Sequence, residues 1–248
     1  DILPPAEQEA ARAASEKSDR LQKEINVAQN EVNKQQAELK KTPDSEEIKQ
    51  KLQEAQGRIG PLREQLKEVA SYQVPGTHDV NGYSSSTPVT DGKDVFVLFG
   101  NGVAACYDLD GNRKWARIVE KPTHGWGHCA SPLLVDGKLI VHIGKLTALD
   151  ARTGAPAWEC KSSQAWGSPV LAKIGATNVL VTASGDFVRV ADGASIGAGL
   201  SRLDFCAPIV DRDVVYFIEN GGKAVRLPAV ADGSAKPYRM KWRGASFS

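Results

Sequence analysis

The sequence predicts a mainly β protein: a partial β-propeller of about four blades, each of four antiparallel strands, preceded by an α-helical coiled-coil hairpin. Two observations predict this fold. A phrase recurs four times in residues 73–248 with a period of about 40 residues, which is the length of one four-stranded blade. Residues 5–69 instead contain no aromatic residue and carry apolar side chains at heptad spacing. We therefore assign 1–72 to a helical arm and 73–248 to blades.

The helical arm has two seams of apolar residues. The clearer one alternates steps of four and three residues, which is the spacing of an a/d seam, and it runs through Ile48, Leu52, Ala55, Ile59, Leu62, Leu66 and Val69. A weaker seam runs through Ala11, Ala14, Ser18, Leu21, Ile25, Ala28 and Val32, and reaches Leu39 after a polar interruption at Gln35.

The segment between the seams predicts a turn between two helices. Pro43 ends the first helix, and Asp44 or Ser45 can cap the second. The simplest result is an antiparallel hairpin, with a kink where Gly60 and Pro61 interrupt the second seam. This arm is either a docking or oligomerising coiled coil, or a self-contained hairpin or spacer, and the sequence leaves both interpretations open.

Each copy of the repeat begins with small residues and a proline. An Asp or Gly turn, a β-branched run and an Asp-Gly or Thr-Gly turn follow the proline. The anchors are Pro88, Pro132, Pro169 and Pro208. They predict blades at about 84–120, 128–163, 166–200 and 204–244. A tryptophan closes the first, second and fourth copies, as Trp115, Trp158 and Trp242, whereas the third copy has none.

Two phrases, CYDLDGNRKW and ALDARTGAPAW, resemble the tryptophan-docking motif of the pyrroloquinoline-quinone (PQQ)-like propeller repeat. That family includes quinoprotein alcohol dehydrogenases and BamB-like lipoproteins of outer-membrane assembly. The stretch HDVNGYSSSTPVTDGKDVFVLFGNGVAACYDLDG is also similar to envelope propellers of planctomycete-type bacteria. The resemblance implies that Trp115, Trp158 and Trp242 are structural, each packing between adjacent blades. It also implies a periplasmic or cell-envelope location and protein partners.

Trp126 and Trp166 lie just before the innermost strands of their blades, where the PQQ-like arrangement has an axial face. With His128 they form the candidate interaction site, although ordinary packing accounts for tryptophans equally well. His124 and His128, in HGWGH, are separated by glycines that indicate a loop rather than a helical metal pair. We therefore expect surface or channel-rim histidines. The run Asp108–Asn112 lacks the closing Glu of a calcium loop and predicts a hairpin turn.

The remaining chemistry argues against an enzyme. A net charge of +1 gives no reason to expect nucleic acid or a direct membrane contact. The sequence has no CxxC motif, and it lacks the adjacent cysteine pair that the quinoprotein resemblance requires. We therefore assign no catalytic, cofactor-binding or metal residues and expect neither PQQ nor calcium. Cys129 and Cys206 should be buried, inert and not bonded to each other.

The leading interpretation is a non-catalytic scaffold for protein–protein interaction or assembly in the bacterial cell envelope. The alternatives are part of a quinoprotein-type dehydrogenase, or a propeller that binds a small ligand or glycan. PQQ-like relatives typically have seven or eight blades, so we expect the ring to be completed by further sequence or by another chain. The start at Asp1 without a methionine fits an exported chain whose signal peptide has been removed, and a chain trimmed in another way would look the same.

Overall fold

The computed structural model describes residues 5–69, 75–219, 221–233 and 236–240. Two compact units divide the chain, Asp1–Val74 and Pro75–Ser248. The fold class predicted from the sequence is confirmed: two helices come first, and four separate four-stranded antiparallel sheets follow. Neither of the described helices has a stretch that is both long and apolar enough to cross a bilayer.

The first unit is an antiparallel pair of helices, α1 (Pro5–Leu39) and α2 (Glu46–Glu68). Its direction follows from the contacts, because Ala28 and Val32 pack with Ala55 and Ile59, while Lys17 Nζ lies 3.1 Å from Glu68 Oε2 near the other end. The buried positions of α1 repeat the predicted seam and are Ala14, Ser18, Leu21, Ile25, Ala28, Val32 and Gln35. Heptad spacing therefore identified which side of the helix is buried.

The helix ends are set by local chemistry. Ser45 is the N-cap of α2, and its Oγ accepts a hydrogen bond from Ile48 N at 3.4 Å, so of the two predicted caps the structure uses Ser45. α2 continues through Pro61, and the kink expected there stays a prediction. Gly57, whose carbonyl loses its donor to the proline ring, is exposed, so water can hydrate that group.

The second unit consists of four sheets, each of four consecutive strands paired in antiparallel order. The first sheet is β1 (Val89–Thr90), β2 (Asp94–Leu98), β3 (Val103–Asp108) and β4 (Arg113–Ile118). The second is β5 (Leu133–Val135), β6 (Lys138–His142), β7 (Leu146–Asp150) and β8 (Pro156–Cys160). The third is β9 (Val170–Ile174), β10 (Thr177–Val181), β11 (Phe187–Arg189) and β12 (Ser195–Gly197). The fourth is β13 (Ile209–Asp211), β14 (Val214–Glu219), β15 (Gly221–Arg226) and β16 (Tyr238–Met240).

The cores of this unit lie between successive sheets. Leu139 and Val141 of β6 pack with Phe96 of the first sheet, whereas Ile140, between them in sequence, packs with Leu180 of the third. Adjacent residues of a strand point to opposite faces, so the second sheet is covered on both sides. A third cluster joins the third and fourth sheets. Stacked sheets buried in this way are the blades of a propeller.

The described docking tryptophans connect neighbouring blades in the same manner. Trp115 Nε1 donates to Ala151 O, and Trp158 Nε1 donates to Val190 O, both at 2.9 Å. Each ring also covers a turn glycine of the next blade, since a Cβ built on Gly154 or Gly193 would lie 2.7 Å from the indole. Burial of the ring and satisfaction of its N–H are thus achieved together. Trp242 lies outside the described residues.

The third blade has no docking tryptophan, as its sequence indicates. In the second blade, Trp158 pairs with Ala148 of the preceding strand. Gly197, which pairs with Phe187, occupies the equivalent position in the third blade. Pro237 of the fourth blade fills part of the space, because a Cβ on Gly197 would lie 3.2 Å from its Cδ. The third and fourth blades therefore meet without an indole between them.

Candidate functional site

The segments that lead into the innermost strands form a hydrogen-bonded ladder from blade to blade. Thr87 N donates to Ser131 Oγ, and Ser131 N donates to Ser168 Oγ, both at 2.9 Å. The corresponding residue of the fourth copy is Ala207, which has no hydroxyl to continue the series. The lead-in segments are thus held side by side, and residues a few positions before each proline are brought together from different blades.

Trp126 and Trp166 line one cleft at these lead-in segments. The cleft has a volume of about 610 Å³ and is lined by Val80, Asn81, His124, Trp126, Cys129, Trp166 and Phe205. The structure therefore brings together two of the three residues named as the candidate interaction site. None of the lining residues is Asp, Glu, Lys or Arg, so the cleft is apolar and carries no fixed charge.

Two stacked ring pairs form the aromatic part of the site. Trp126 stacks on His78 with 4.1 Å between ring centroids, and Trp166 stacks on Phe205 at 5.5 Å. The rings of His124 and Trp166 form a T-shaped pair with 4.8 Å between their centroids. Trp126 is 56% exposed and Phe205 is 72% exposed. Exposed aromatic rings gathered in a concave surface are a typical feature of sites that bind other molecules.

His128, expected on the surface or a channel rim, is instead buried, with 0% of its surface exposed. The reason is a tight turn in which Gly127 has φ +78° and donates its N–H to His124 O at 2.9 Å. This turn leaves His124 and Trp126 outside and sends the next residue into the interior. His128 is absent from the lining of the cleft, so this part of the candidate site was wrong.

Burial lowers the pKa of His128 from 6.5 to about 4, and the nearby His142 lowers it further in the same direction. Desolvation also lowers the pKa of His142, although Asp186 and Glu120 oppose this effect. His142 Nε2 lies 3.1 Å from Ser163 O, whereas neither ring nitrogen of His128 makes a hydrogen bond of normal geometry among the described residues, although the Ala130 backbone is near enough to oppose part of the pKa decrease. Both imidazoles are therefore neutral near pH 7.

The burial expected for two cysteines is not found. Cys129 is only partly buried, and its Sγ donates to Trp166 O at 3.9 Å. Cys206 is exposed, because it lies in a lead-in loop and not inside a strand. All four cysteines are free. The lead-in segment of the third blade lies between Cys129 and Cys206, since it contacts both of them.

Glu219, which the sequence did not single out, fixes the loop that carries Phe205. Its carboxylate accepts hydrogen bonds from Asp204 N at 2.7 Å, Phe205 N at 2.8 Å and Cys206 N at 3.2 Å. These backbone donors lower the pKa of Glu219. Asp204 O in turn accepts from Trp166 N at 3.2 Å. One carboxylate thus holds the Phe205 side of the cleft in place.

The donor groups needed for a quinone–calcium site are not assembled in the described part of the chain. Within it, no group of three or more His, Cys, Asp or Glu side chains could hold a metal ion, and no two cysteines are adjacent in the sequence. The described residues thus do not fit the site of quinoprotein dehydrogenases, and the expectation of no PQQ and no calcium stays a prediction. The run Asp108–Asn112 is a hairpin turn, in which Asp108 Oδ1 accepts from Asp110 N and Asn112 N.

Comparison with known proteins gives one family and several structures. Residues 77–199 match the family model described as outer membrane protein assembly factor BamB. No protein with a curated description matches the chain. Among solved structures, the chain is similar to BamB from Moraxella catarrhalis, with 18% identity, a TM-score of 0.45, and 61% of this chain and 48% of that chain covered. The chain thus spans about half the length of that structure.

Two further solved structures are similar over shorter stretches. One is a europium-containing methanol dehydrogenase, with 16% identity, a TM-score of 0.34, and 44% of this chain and 23% of that chain covered. The other is the computationally designed protein Ika8, with 12% identity, a TM-score of 0.36, and coverages of 52% and 41%. The match of residues 77–199 to the family model, together with the docking tryptophans and the four sheets, identifies the chain as a PQQ-like repeat protein.

Proposed function

We propose that this chain is a non-catalytic scaffold of the bacterial cell envelope that binds another protein through the aromatic cleft. The observation that carries the proposal is the cleft itself, in which Trp126, Trp166 and Phe205 lie together without a charged neighbour in the lining. A few residues supply most of the binding energy in protein interfaces, and aromatic side chains are enriched among them. The family match to an outer membrane assembly factor supports the envelope location and a role in assembly.

The residues that line the cleft also bear on whether it could catalyse a reaction. Acid–base or nucleophilic catalysis needs an activated side chain in the cleft. Cys129 is the one thiol in the lining, and burial raises its pKa, so less of the nucleophilic thiolate is present at neutral pH. No carboxylate lies in the lining. These features favour binding over chemistry, and the similarity to planctomycete-type envelope propellers stays a prediction.

Site-specific crosslinking in the envelope tests the proposal. A photo-reactive phenylalanine analogue at Phe205 should give one adduct whose partner segment can be identified by mass spectrometry, and Trp166→Ala should abolish it. The matched control is the same analogue at Ile118, which is exposed at 56% on the outer strand β4. An identical adduct from both positions, or no protein adduct from Phe205, would contradict the proposal. So would reproducible turnover by the purified protein with quinone and calcium.

A further inference from the structure

The tryptophans of this chain differ in what their indole N–H groups do. Trp115 and Trp158 each donate to a carbonyl oxygen of the next blade. For Trp126 and Trp166, no partner of the indole N–H is found within the described ranges, although the backbone of both residues is hydrogen-bonded. Because an indole is a donor only, these two side chains bring hydrogen-bond donors to the cleft without bonds to the protein.

The other polar side chains of the lining are donors or are already bonded. Trp126 N donates to His124 Nδ1 at 3.2 Å, so in the neutral ring the proton lies on Nε2, which is then a donor. Asn81 Oδ1 accepts from Ser85 Oγ, and Asn81 Nδ2 donates to Trp126 O at 2.8 Å. The Cys129 thiol donates to Trp166 O. The cleft thus offers donors and few side-chain acceptors.

A ligand that fits this cleft has apolar rings, free acceptors and few donors of its own. An α-helix fits poorly, because its carbonyl oxygens are bonded internally except in the last turn. A sugar fits poorly as well, since its hydroxyl groups need acceptors that the lining side chains do not supply. A proline-rich segment in the polyproline II conformation has no internal hydrogen bonds, so its carbonyls are free, and its proline residues lack the N–H.

We propose that the cleft binds a proline-rich segment of the partner, with proline rings against Trp126, Trp166 and Phe205 and partner carbonyls accepting from the two indole N–H groups. This inference rests on the proposed function, because it names the chemistry of the protein segment bound there. Aromatic-lined grooves bind proline-rich peptides in several unrelated domains for the same physical reason: the extended conformation exists before binding and little entropy is lost. A cleft of about 610 Å³ is within the range of peptide and ligand pockets.

The test is a titration of the ¹⁵N-labelled full chain with acetyl-decaproline-amide, followed through the indole N–H resonances in NMR spectra. The resonances are assigned with Trp→Phe variants. The signals of Trp126 and Trp166 should shift in a saturable manner, while those of Trp115 and Trp158 should not move. A (Gly-Ser)₅ peptide of equal length and an alanine-based helical peptide are the comparison ligands, and neither should produce saturable shifts.

Variants examine the individual hydrogen bonds. Trp126→Phe and Trp166→Phe retain an aromatic ring but lose the N–H, and each should weaken binding of the decaproline peptide about fivefold, the value for one hydrogen bond. The matched control is Leu109→Ala, which truncates a side chain exposed at 67% in the turn between β3 and β4 and should not change the affinity. Unchanged indole signals of Trp115 and Trp158 verify that each variant keeps its blades together.

The outcomes separate the two proposals. If decaproline gives no saturable shift while the Phe205 crosslink to a partner persists, the proline inference is overturned and the scaffold function stands. Equal shifts with the Gly-Ser peptide also overturn it, because the cleft then does not distinguish proline. If a chito-oligosaccharide shifts the same two indole signals, decaproline does not, and the crosslink is absent, both proposals are wrong and the cleft binds glycans.

Discussion

Replacing His128 by leucine should remove part of the protein's sensitivity to acid. The pKa of this imidazole is 6.5 in an ordinary environment and about 4 in the folded protein. As the pH falls below 6.5, the unfolded chain binds a proton at this position that the folded chain does not, so the free energy of unfolding decreases. The decrease ends near pH 4, where the folded form is protonated too.

The magnitude follows from the two pKa values. One pKa unit corresponds to about 1.4 kcal/mol, so the drop from 6.5 to about 4 makes His128 responsible for about 3 kcal/mol of the stability lost between pH 7 and pH 4. His142 adds to the loss in the wild type, because burial lowers its pKa as well. The leucine variant should therefore lose about 3 kcal/mol less than the wild type over this range.

Urea unfolding followed by tryptophan fluorescence at several pH values measures this difference. All five tryptophans lie in residues 73–248, so the signal reports on the blades and not on the helical arm. His124→Leu is the matched control: it removes an exposed imidazole four residues away and should retain the wild-type acid loss, because His128 is still present. Equal losses of stability in the wild type and His128→Leu would refute the argument that His128 is buried and neutral.

Two further predictions concern packing and capping. Gly193→Ala should destabilise the blades by about 1–3 kcal/mol, because φ is +74° and the new Cβ would lie 2.7 Å from the Trp158 ring. Gly175 is also at positive φ but has nothing within 4 Å of its Cβ position. Gly175→Ala should therefore lower the free energy of unfolding by less in the same urea experiment. Ser45→Ala should destabilise the helical arm by about 1 kcal/mol, which is measured as a lower melting temperature of the helical circular dichroism signal. Asp44→Ala should lower that melting temperature by less. The reverse order would mean that Asp44 is the cap.

The parts of the fold that could be predicted from the sequence are those whose burial is periodic. The heptad spacing identified the buried side of α1, because a helix places every third or fourth residue on one side. The blade repeat was visible because each copy needs the same turns and buries the same strands. The continuity of α2 through Pro61 could not be predicted from spacing, because the cost of proline in a helix depends on whether the freed carbonyl is exposed to water.

The candidate site could be predicted only in part, because it is built from four lead-in segments far apart in the chain. Trp126 and Trp166 stood out because each lies a few residues before the anchor proline of its blade. Phe205 lies three residues before Pro208, as Trp166 lies three residues before Pro169; this shared offset was overlooked, and the stacking of Phe205 on Trp166 reveals its role. His128 was assigned to the wrong side because HGWGH looks uniformly loop-like, while the single turn at Gly127 separates an exposed half from a buried one.

The distinction between the two kinds of tryptophan explains why the lead-in segments are the place to seek function in this chain. A docking tryptophan such as Trp158 is constrained on every side: its ring must cover a glycine and its N–H must reach a fixed carbonyl. Any change there alters the contact between blades. The indole N–H of Trp126 makes no such bond within the described chain; its ring stacks on His78, and 56% of its surface stays exposed. Water can hydrate the indole N–H of an exposed tryptophan in the free chain, so a partner that covers Trp126 and Trp166 must supply acceptors in its place.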